Sequence, residues 1–373
     1  MADPREIDVL HVIGSLSLGG AERNLYYLAP YMAKSRLRYG ICCLTERGHF
    51  GPEVERVGVP VWELGFRKRY TFSSIWRLSR LLRRHKVKVL HTHLFISGVI
   101  GRLAGVLAGT PVMISHEHGK TLWKSWYHRL FERMILPSTD ARIAVSKDII
   151  DLRMKHEHAP RSKMRLVRNA VDPRAFEVGE EVRTALRREI GLENNFVIGT
   201  VGRLVDAKAH DLLIDVAGDV CARRPEARFV LVGEGELGET LKQLVQSRGL
   251  SDKVIFLGRR TDIPALMAAM DIYLITSKRE GLPLALIEAM MSAKPIISTA
   301  VGAIPDTISP GKEGILVGPE AKPDLMEAVM ALMDDPGLRK AMGEAARKKA
   351  VALFSPERIL EEIEAVYREF LDW

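Results

Sequence analysis

The stretch DIYLITSKREGLPLALIEAMMSAKPIISTA, residues 271–300, contains a complete strand, loop, helix and strand. The apolar run DIYLITS predicts one strand and the run PIISTA predicts the next. Between them stands Pro283, which is tolerated at a helix start because the first N–H groups of a helix have no partner within it. Two strands joined by such a helix lie parallel in one sheet, so this stretch predicts a parallel α/β fold.

The same alternation of strand-like runs and amphipathic stretches continues through the rest of the chain. The first half contains IDVLHVIG, YGICCLT, VKVLHTH, PVMIS and ARIAVS, and the second half adds FVIGTVG, RFVLVGEG and KVIFLG. A length of 373 residues is typical of two domains rather than one. We therefore predict an α/β protein with two Rossmann-like domains, each built on a parallel sheet.

A turn at Asp172-Pro173, followed by a polar stretch, marks the change of domain. We place the first domain at residues 1–172, the second at 173–355, and a final helix at 356–373 that packs across the junction. Parallel sheets bind ligands outside the carboxyl ends of their strands. Two such sheets with facing ends would share one cleft, so we expect the chemistry in strand-to-helix loops.

The loop of the opening stretch offers two carboxylates to one elongated ligand. Glu280 precedes the helix, and Glu288 lies five residues beyond Pro283, about 7.5 Å along the axis at 1.5 Å per residue. Gly281 lets a ligand approach the backbone, and a helix start suits a phosphate. A phosphate flanked by hydroxyl-rich groups describes a nucleotide sugar. The alternative is an ordinary helix start with a solvated Glu280 and a Glu288 paired with an arginine.

Two cations in the stretch VGRLVDAKAHD favour the ligand-binding interpretation. Arg203 and Lys208 follow the first strand of the second half, so both can reach a diphosphate at the neighbouring strand end and neutralise charge on a leaving phosphate. Surface salt bridges are the alternative role for these two side chains.

Several motifs occur in an order that resembles the retaining glycosyltransferases of the GT-B fold, family 4. They are GSLSLGGAERNL, VRNAVDP, GRLVDAK, LVGEGE and the long stretch LGRRTDIPALMAAMDIYLITSKREGLPLALIEAM. The resemblance covers nearly the whole chain and is strongest from Gly199 to Ile308. It implies two Rossmann-like domains whose parallel sheets face a central cleft and bracket a nucleotide-diphosphate sugar.

The resemblance also implies roles for individual residues of the second half. Arg203 and Lys208 would hold the diphosphate, and Glu288 would bind the ribose hydroxyls. Glu280, as a catalytic residue, and the backbone of Gly281-Leu282-Pro283 would hold the transferred sugar.

Other motifs of the family are matched less closely. Arg259 or Arg260 in GRRTD would help to bind the base, and we count Arg260 with the donor-binding residues. In the first half, Gly19 and Gly20 precede a helix whose start can face the same diphosphate. The motif lacks G-x-G-x-x-G spacing, so only its position between the first strand and the first helix favours contact with the diphosphate.

The chain has alanine at three positions where the family often has glycine: Ala170, Ala209 and Ala293. A methyl group is tolerated at such positions unless the backbone needs a positive φ.

Four histidines stand near the ends of two strands, in VLHTHLF and VMISHEHGK. They are His91, His93, His116 and His118. A zinc site is one interpretation. We expect no metal, because no Cys or H-x-x-x-H helix accompanies them and neighbouring strand residues alternate faces. The motif SHEHG resembles a T-x-H-G turn of the family. This resemblance favours His118 over His116 as the residue that hydrogen-bonds the reacting sugar, with His116 on the acceptor side. A histidine satisfied by the backbone is the alternative.

Retention in the family is usually explained by same-face attack, in which the leaving phosphate accepts the acceptor's proton. The protein then supplies positioning and electrostatics. We expect no cofactor and no metal at the diphosphate, since Arg203, Lys208 and helix dipoles already supply positive charge.

The formal net charge of +8 divides unequally along the chain. Residues 1–172 carry 29 Lys and Arg against 15 Asp and Glu, whereas residues 173–373 carry 26 against 32. Basic stretches with aromatic residues, FRKRYTFSSIWRLSRLLRRHKVKV and KTLWKSWYHRLFERMI, lie in the first half. They predict contact with an anionic membrane surface. A sheet-covering helix with a solvated charged face is the alternative.

We therefore expect a cytoplasmic enzyme that can also bind peripherally at the inner face of the membrane. It would transfer a sugar to a glycan or lipid-linked acceptor in cell-surface polysaccharide, lipopolysaccharide or glycolipid synthesis. A UDP-sugar is favoured over a GDP-sugar. The N-terminus lacks the pattern of a secretory signal. Two alternatives are a nucleotide-sugar 2-epimerase and a basic nucleic-acid-binding protein. No recognised RNA- or DNA-binding motif supports the last, so we expect no nucleic-acid partner.

Overall fold

The computed structural model describes residues 6–66, 72–119 and 126–371. The strands are β1 Val9–Ile13, β2 Tyr39–Cys43, β3 Val61–Glu63, β4 Val89–His93, β5 Val112–Glu117, β6 Ala141–Ala144, β7 Met164–Leu166, β8 Phe196–Val201, β9 Ala227–Val232, β10 Val254–Gly258, β11 Ile272–Ile275, β12 Ile296–Thr299 and β13 Gly314–Val317.

Helices follow most of these strands, as the alternation in the sequence predicts. The α-helices are α1 Gly20–Met32, α2 Gly51–Arg56, α3 Phe72–Arg84, α4 Phe95–Ala108, α5 Trp126–Ile135, α6 Lys147–Glu157, α7 Glu180–Glu189, α8 His210–Arg223, α9 Gly238–Ser247, α10 Ile263–Ala269, α11 Leu284–Met291, α12 Ile304–Thr307, α13 Lys322–Asp334, α14 Pro336–Phe354 and α15 Pro356–Arg368. Among the described helices, none is long and apolar enough to span a membrane.

The chain forms two compact units. One comprises Met1–Val171 together with Pro356–Trp373, and the other comprises Asp172–Ser355. The last helix, α15, therefore belongs to the first unit, where it packs against α1. Glu364 on α15 accepts hydrogen bonds from Ser35 Oγ at 2.7 Å and from Tyr39 Oη at 2.9 Å.

The first unit contains a fully parallel sheet in the order β3-β2-β1-β4-β5-β6-β7. The order reverses between β1 and β4, so the loops that follow these two strands lead to opposite faces of the sheet. Such a switch point leaves a crevice at the carboxyl ends of the two strands. One face is covered by the core of α1, α2 and α15, and the other by α3 and α4.

The second unit contains a parallel sheet in the order β10-β9-β8-β11-β12-β13. Its switch point lies between β8 and β11. These are the two strands whose following loops carry Arg203 and Lys208 on one side and Glu280 on the other. The buried side chains of α8, α9 and α13 form the core on one face of this sheet.

A buried network of six charged side chains joins α4, α5 and α6 to strands β5 and β6 of the first sheet. Arg142 contacts three carboxylates, at 2.7 Å to Glu157, 3.1 Å to Glu117 and 3.2 Å to Glu132. Arg102 pairs with Glu132, and Arg153 pairs with both Glu117 and Glu157. Three positive and three negative groups balance, and removal of any one would leave an uncompensated charge in the interior, which costs about 3–5 kcal/mol.

Two of the three alanines that replace family glycines adopt positive φ. Ala209 has φ of 47° and Ala293 has φ of 53°, whereas Ala170 is not among the described positive-φ residues. In this region the methyl group crowds the backbone carbonyl, which costs roughly 1–2 kcal/mol. The sequence left open whether these positions need a positive φ, and the structure shows that two of them do.

We expect Ala293→Gly to stabilise the second unit. Ala293 follows the end of α11, where glycine is the preferred residue because it lacks the strained methyl group. The gain is about 0.5–1 kcal/mol after allowance for the larger backbone entropy of glycine in the unfolded state. Differential scanning calorimetry should show the transition of this unit raised by about 2 °C.

Ala331→Gly is the matched control, because Ala331 is exposed within helix α13 of the same unit. Glycine should there lower the free energy of unfolding by about 1 kcal/mol. If both substitutions lowered it equally, the backbone strain assigned to Ala293 would be absent.

Candidate functional site

The loop between β11 and α11 holds Glu280 in a fixed position at the switch point of the second sheet. Glu280 is 9% exposed, and one oxygen, Oε1, accepts from Lys208 Nζ at 2.5 Å and from Ser277 Oγ at 2.7 Å. The loop is further fixed by Gly302, whose φ is 60° and where a Cβ would lie 2.4 Å from the carbonyl oxygen of Glu280. The alternative of a solvated Glu280 is therefore wrong.

Lys208 and Arg203 come from the loop that follows β8, the neighbouring strand. Lys208 ends a short 3₁₀ turn, Asp206–Lys208, and its ammonium group pairs with Glu280. Arg203 is exposed, and its guanidinium makes no hydrogen bond or ion pair with any described residue. The structure thus places the paired Lys208 beside the start of α11, and the unpaired Arg203 lies exposed in the same loop after β8.

Glu288 does not present its carboxylate to solvent. It lies within α11 and is completely buried. Its charge contributes, after burial, to a raised pKa of Tyr273, so the two side chains are near each other. A ribose hydroxyl can reach Glu288 only if neighbouring groups move, so the proposed ribose contact stays a prediction.

Gly281, Leu282 and Pro283 form the approach to α11. Leu282 is buried, and Pro283 has extended backbone with φ of −64° and ψ of 123° at the cap position, so the helix proper begins at Leu284. The Gly281 carbonyl accepts from the N–H of Ala303 at 2.9 Å. The first N–H groups of α11, like those of any helix, lack partners within it and point toward this loop.

Arg260 is not brought to this group. It forms a bidentate pair with Asp262, at 2.8 Å and 2.6 Å, and a further ion pair with Glu189 at 2.9 Å. These carboxylates raise the pKa of the guanidinium. To contact a nucleotide base, Arg260 would have to give up bonds that it already makes.

A small concavity at the switch point contains residues that the sequence did not single out. Besides Lys208, Glu280 and Pro283 it is lined by Thr200, Val201, His210, Tyr273, Ile275, Thr276 and Ser277. His210 is the first residue of α8, and burial lowers its pKa to about 4. Its position two residues after Lys208 could have indicated a place beside that cation.

In the first unit, Gly19 and Gly20 stand at the start of α1 as expected. Gly19 caps the helix with extended backbone, and a Cβ there would lie 2.2 Å from a carboxylate oxygen of Glu22. A residue other than glycine there would require only the flexible Glu22 side chain to move, and the contact of Gly19 with a diphosphate stays a prediction.

The histidines near the strand ends lie on one face of the first sheet, and a fifth, His11, joins them. His11 on β1 is in register with His91 on β4, and His93 is in register with His116 on β5. His91 and His93, like His116 and His118, are two residues apart and so share a face. The expectation that alternation would separate these side chains is wrong.

One chain of hydrogen bonds runs through three of these rings. His118 Nδ1 lies 3.3 Å from Asn169 Oδ1, His118 Nε2 lies 2.9 Å from His93 Nδ1, and His93 Nε2 lies 2.8 Å from His11 Nδ1. Both ring nitrogens of His118 are therefore engaged within the protein. Contact of His118 with a sugar would require one of these bonds to exchange.

A second chain begins on α15. His91 Nδ1 contacts Tyr367 Oη at 2.5 Å, and His91 Nε2 lies 3.2 Å from His116 Nδ1. His116 is 1% exposed, so it does not face an acceptor in this structure. Its assignment to the acceptor side stays a prediction that would need an opening of the surrounding residues.

Part of the basic surface predicted for the first half lies outside the described residues, namely residues 67–71 and 120–125. Within the described part, α3 buries Ser74, Leu78, Ser79 and Leu82 and exposes Phe72 and Trp76, at 77% and 48%. The guanidinium of Arg80 lies over the Trp76 ring at 4.7 Å from its centroid. Helix α3 therefore presents exposed aromatic groups beside arginines.

Comparison with known families matches both halves of the chain. The model described as Glycosyltransferase Family 4 matches residues 18–175, and the model described as Glycosyl transferases group 1 matches residues 182–349. Together they account for most of the sequence. The chain belongs to glycosyltransferase family 4.

Individual relatives agree with this assignment. A UDP-Gal:alpha-D-GlcNAc-diphosphoundecaprenol alpha-1,3-galactosyltransferase from Escherichia coli is 28% identical over 304 residues, 79% of this chain and 78% of the relative. An alpha-D-kanosaminyltransferase from Streptomyces kanamyceticus is 27% identical over 316 residues, 80% of this chain and 82% of the relative.

Among solved structures, HepE from Anabaena in complex with UDP-glucose has a TM-score of 0.85 at 22% identity, with 98% of this chain and 100% of HepE covered. At that identity the likeness shows the fold. The two parallel-sheet units of this family 4 glycosyltransferase are the Rossmann-like domains of the GT-B fold, as the sequence predicted.

The buried histidines of this glycosyltransferase should make its first unit sensitive to acid. Burial lowers the pKa of His11 to about 3 and that of His118 to about 4, and it lowers the pKa values of His91, His93 and His116 as well. Histidines of the unfolded chain have a pKa near 6.5. Below that pH the unfolded chain therefore binds more protons than the folded unit does. The free energy of unfolding of the first unit is therefore highest above about pH 6.5. It falls as the pH falls toward the pKa values of the folded state, by about 1.4 kcal/mol per pH unit for each histidine.

This dependence can be followed in the first unit alone, because all five tryptophans, Trp62, Trp76, Trp123, Trp126 and Trp373, fall within the residue ranges assigned to it. Urea unfolding with a chelator present, followed by tryptophan fluorescence, should give a free energy that falls between pH 6.5 and 4.5. His11→Gln removes one titrating group, so the free energy of unfolding should fall less steeply with pH, by the contribution of one histidine. A slope unchanged in the variant would contradict the assignment.

Proposed function

We propose that the protein transfers a sugar from a nucleotide-diphosphate sugar to a glycan or lipid-linked acceptor, with retention at the anomeric carbon. The observation that carries this proposal is the arrangement at the β8/β11 switch point. There the Glu280-bound Lys208 lies beside the start of α11, and the loop that carries Lys208 also carries the exposed, unpaired Arg203. Family membership supports transfer of a sugar rather than another reaction of phosphorylated ligands.

The charges of this group match those of a diphosphate donor. Arg203 offers a planar fork of donors to phosphate oxygens, and an ammonium group such as that of Lys208 has two donors besides the one directed at Glu280. When the bond to the anomeric carbon breaks, negative charge grows on the distal phosphate. Two cations near that position would stabilise the leaving group without a metal ion at the diphosphate, and Lys208 is already held there by Glu280.

Glu280 has a different part in the proposal. Ser277 and Lys208 hold its Oε1, which leaves Oε2 as the oxygen that can accept from a sugar hydroxyl. A carboxylate held by two neighbours is already positioned before substrate binds, and such positioning lowers the barrier of the transfer step. Retention then follows from same-face attack, in which the departing phosphate oxygen takes the proton of the acceptor hydroxyl.

A UDP-sugar is the proposed donor. The Escherichia coli relative is named for UDP-Gal, and HepE was crystallised with UDP-glucose. The same relative acts on a diphosphoundecaprenol-linked sugar, which supports a lipid-linked acceptor and a role in cell-surface glycan synthesis. Thermal-shift measurements with UDP, GDP and ADP, each with EDTA and with Mg²⁺, would test both the base and the absence of a metal requirement.

Two substitutions should separate binding from transfer. Arg203→Ala removes a charge-assisted bond to phosphate, so the Kd for UDP should rise about tenfold to a hundredfold. Glu280→Gln keeps the shape of the side chain but removes its charge, so kcat should fall by more than KM changes. Calorimetric titration with UDP and an assay of sugar transfer would measure the two effects, and NMR of the product would report its anomeric configuration.

Arg223→Ala is the control for the first variant, since Arg223 is an exposed arginine at the end of α8 in the same unit. It should leave UDP binding unchanged. Equal affinities for the Arg203 and Arg223 variants would remove the diphosphate assignment, and an inverted product would remove retention.

We further propose that α3 brings the enzyme to an anionic membrane surface in the cytoplasm, where a lipid-linked acceptor resides. Phe72 and Trp76 can enter the headgroup region while the arginines of the same helix attract anionic lipid. Exposed Leu130 and Met134 on α5 add apolar surface beside Arg133 in the same half of the chain.

Liposome flotation should therefore recover the protein with vesicles that contain anionic lipid and not with neutral vesicles. Replacement of Phe72 and Trp76 by serine should reduce the recovered fraction severalfold. Val351→Ser is the control, because Val351 is an exposed apolar side chain on α14 of the other unit. Equal recovery with anionic and neutral vesicles would contradict membrane contact through α3. An equal fall in recovery for the α3 variant and the Val351 variant would contradict it too.

A further inference from the structure

The histidine cluster of the first unit has the features of a metal centre. One ring nitrogen from each of His93, His116 and His118 lies within 4.8 Å of the others. The three come from the carboxyl end of two neighbouring strands, β4 and β5, and the loop after β5. We propose that these three histidines bind one divalent transition-metal ion, apart from the donor-binding residues of the second unit and in place of the sugar contact expected of His118.

The other nitrogen of each of these rings is already oriented by a hydrogen bond. His118 Nδ1 faces Asn169 Oδ1, His93 Nε2 faces His11 Nδ1, and His116 Nδ1 faces His91 Nε2. Metal-binding histidines typically have their second nitrogen held in this way, which fixes the ring and selects the nitrogen that binds. The nitrogens left for a metal are then His118 Nε2, His93 Nδ1 and His116 Nε2.

His116 Nε2 provides an independent reason to expect a ligand. It is a buried polar atom without a hydrogen-bond partner among the described residues, on a side chain only 1% exposed. An unsatisfied polar group in the interior costs about 1–3 kcal/mol. A bound metal would satisfy it, because the lone pair of a neutral imidazole is the group that coordinates.

One of the three nitrogen pairs needs only a small adjustment, and a nitrogen of His116, within 4.8 Å of the other two ligand atoms, must approach them to about 3.3 Å. His93 Nδ1 and His118 Nε2 are 2.9 Å apart. Two nitrogens at about 2.0–2.1 Å from a tetrahedral ion are roughly 3.3 Å apart, so this pair must separate by about 0.4 Å. His93 and His11 must also move their protons to the opposite ring nitrogens, which neutral imidazoles can do without a change of charge. No proton is released and no bond to carbon is formed or broken.

Three imidazoles favour zinc, cobalt, nickel or copper over magnesium and calcium, which prefer oxygen ligands. Three protein ligands leave a fourth tetrahedral position for water. His118 is the only partly exposed ring of the three, so we place the water on the side of His118.

Cobalt(II) added to chelator-treated, desalted protein tests the proposal without any assay of transfer. We expect one equivalent of Co²⁺ to be retained after gel filtration, with the intense visible absorption of a four-coordinate ion, and to be displaced by Zn²⁺. His116→Gln should abolish retention, and His118→Gln provides a second ligand variant if the first does not fold. Tryptophan fluorescence during urea unfolding would establish that each variant retains a folded first unit.

His156→Gln is the control, because His156 is an exposed histidine at the end of α6 outside the cluster. It should retain one equivalent. His11→Gln should weaken retention at least tenfold without abolishing it, since His11 orients His93 rather than binding the ion. No retained Co²⁺ in the folded protein, or one full equivalent in the folded His116 variant, would overturn the proposal. Complete loss in the His11 variant would also overturn it, in favour of the deeper group His11, His91 and His93.

Discussion

The parallel pairing of β8 with β11 is the constraint on which the donor site depends. Because both strands run in the same direction, the loops that follow them emerge at one edge, and the reversal of strand order there separates their helices. Lys208 from one loop then meets Glu280 from the other at 2.5 Å across 72 positions of sequence. Register along this single strand pair therefore affects whether the two groups can meet, since a shift by one residue would move one strand end by about 3.3 Å relative to the other.

The fold follows from local patterns that any parallel α/β chain displays. Apolar runs bounded by glycines and separated by amphipathic stretches place β8, β11 and α11 without knowledge of distant contacts. Pro283 locates the start of α11 to within one residue, because its missing N–H is tolerated only near a helix start. The proximity of Lys208 to Glu280 was also predictable, since it needs only adjacency of two strand ends.

The features of the site that the sequence did not predict depend on contacts between residues far apart in the chain. Nothing near Arg260 in the sequence points to Glu189, 71 residues away, as a partner that competes for its guanidinium. The burial of Glu288 depends on everything packed around α11. The shared face of the histidines was accessible from spacing alone, because His91 and His93 are two residues apart. The sequence did not predict that His11 joins the histidine cluster, because its place beside His91 depends on the register between β1 and β4.

The return of α15 to the first unit has a consequence for the order in which the protein folds during synthesis. Glu364 and Tyr367 contact Ser35 and His91, so the first unit lacks part of its core until residues more than 270 positions further along have left the ribosome. The second unit is continuous from Asp172 to Ser355 and can be completed earlier. The half of the enzyme that is translated first is therefore finished last, and nascent chains must keep the surface beneath α15 open, where chaperones can bind, until α15 has been translated.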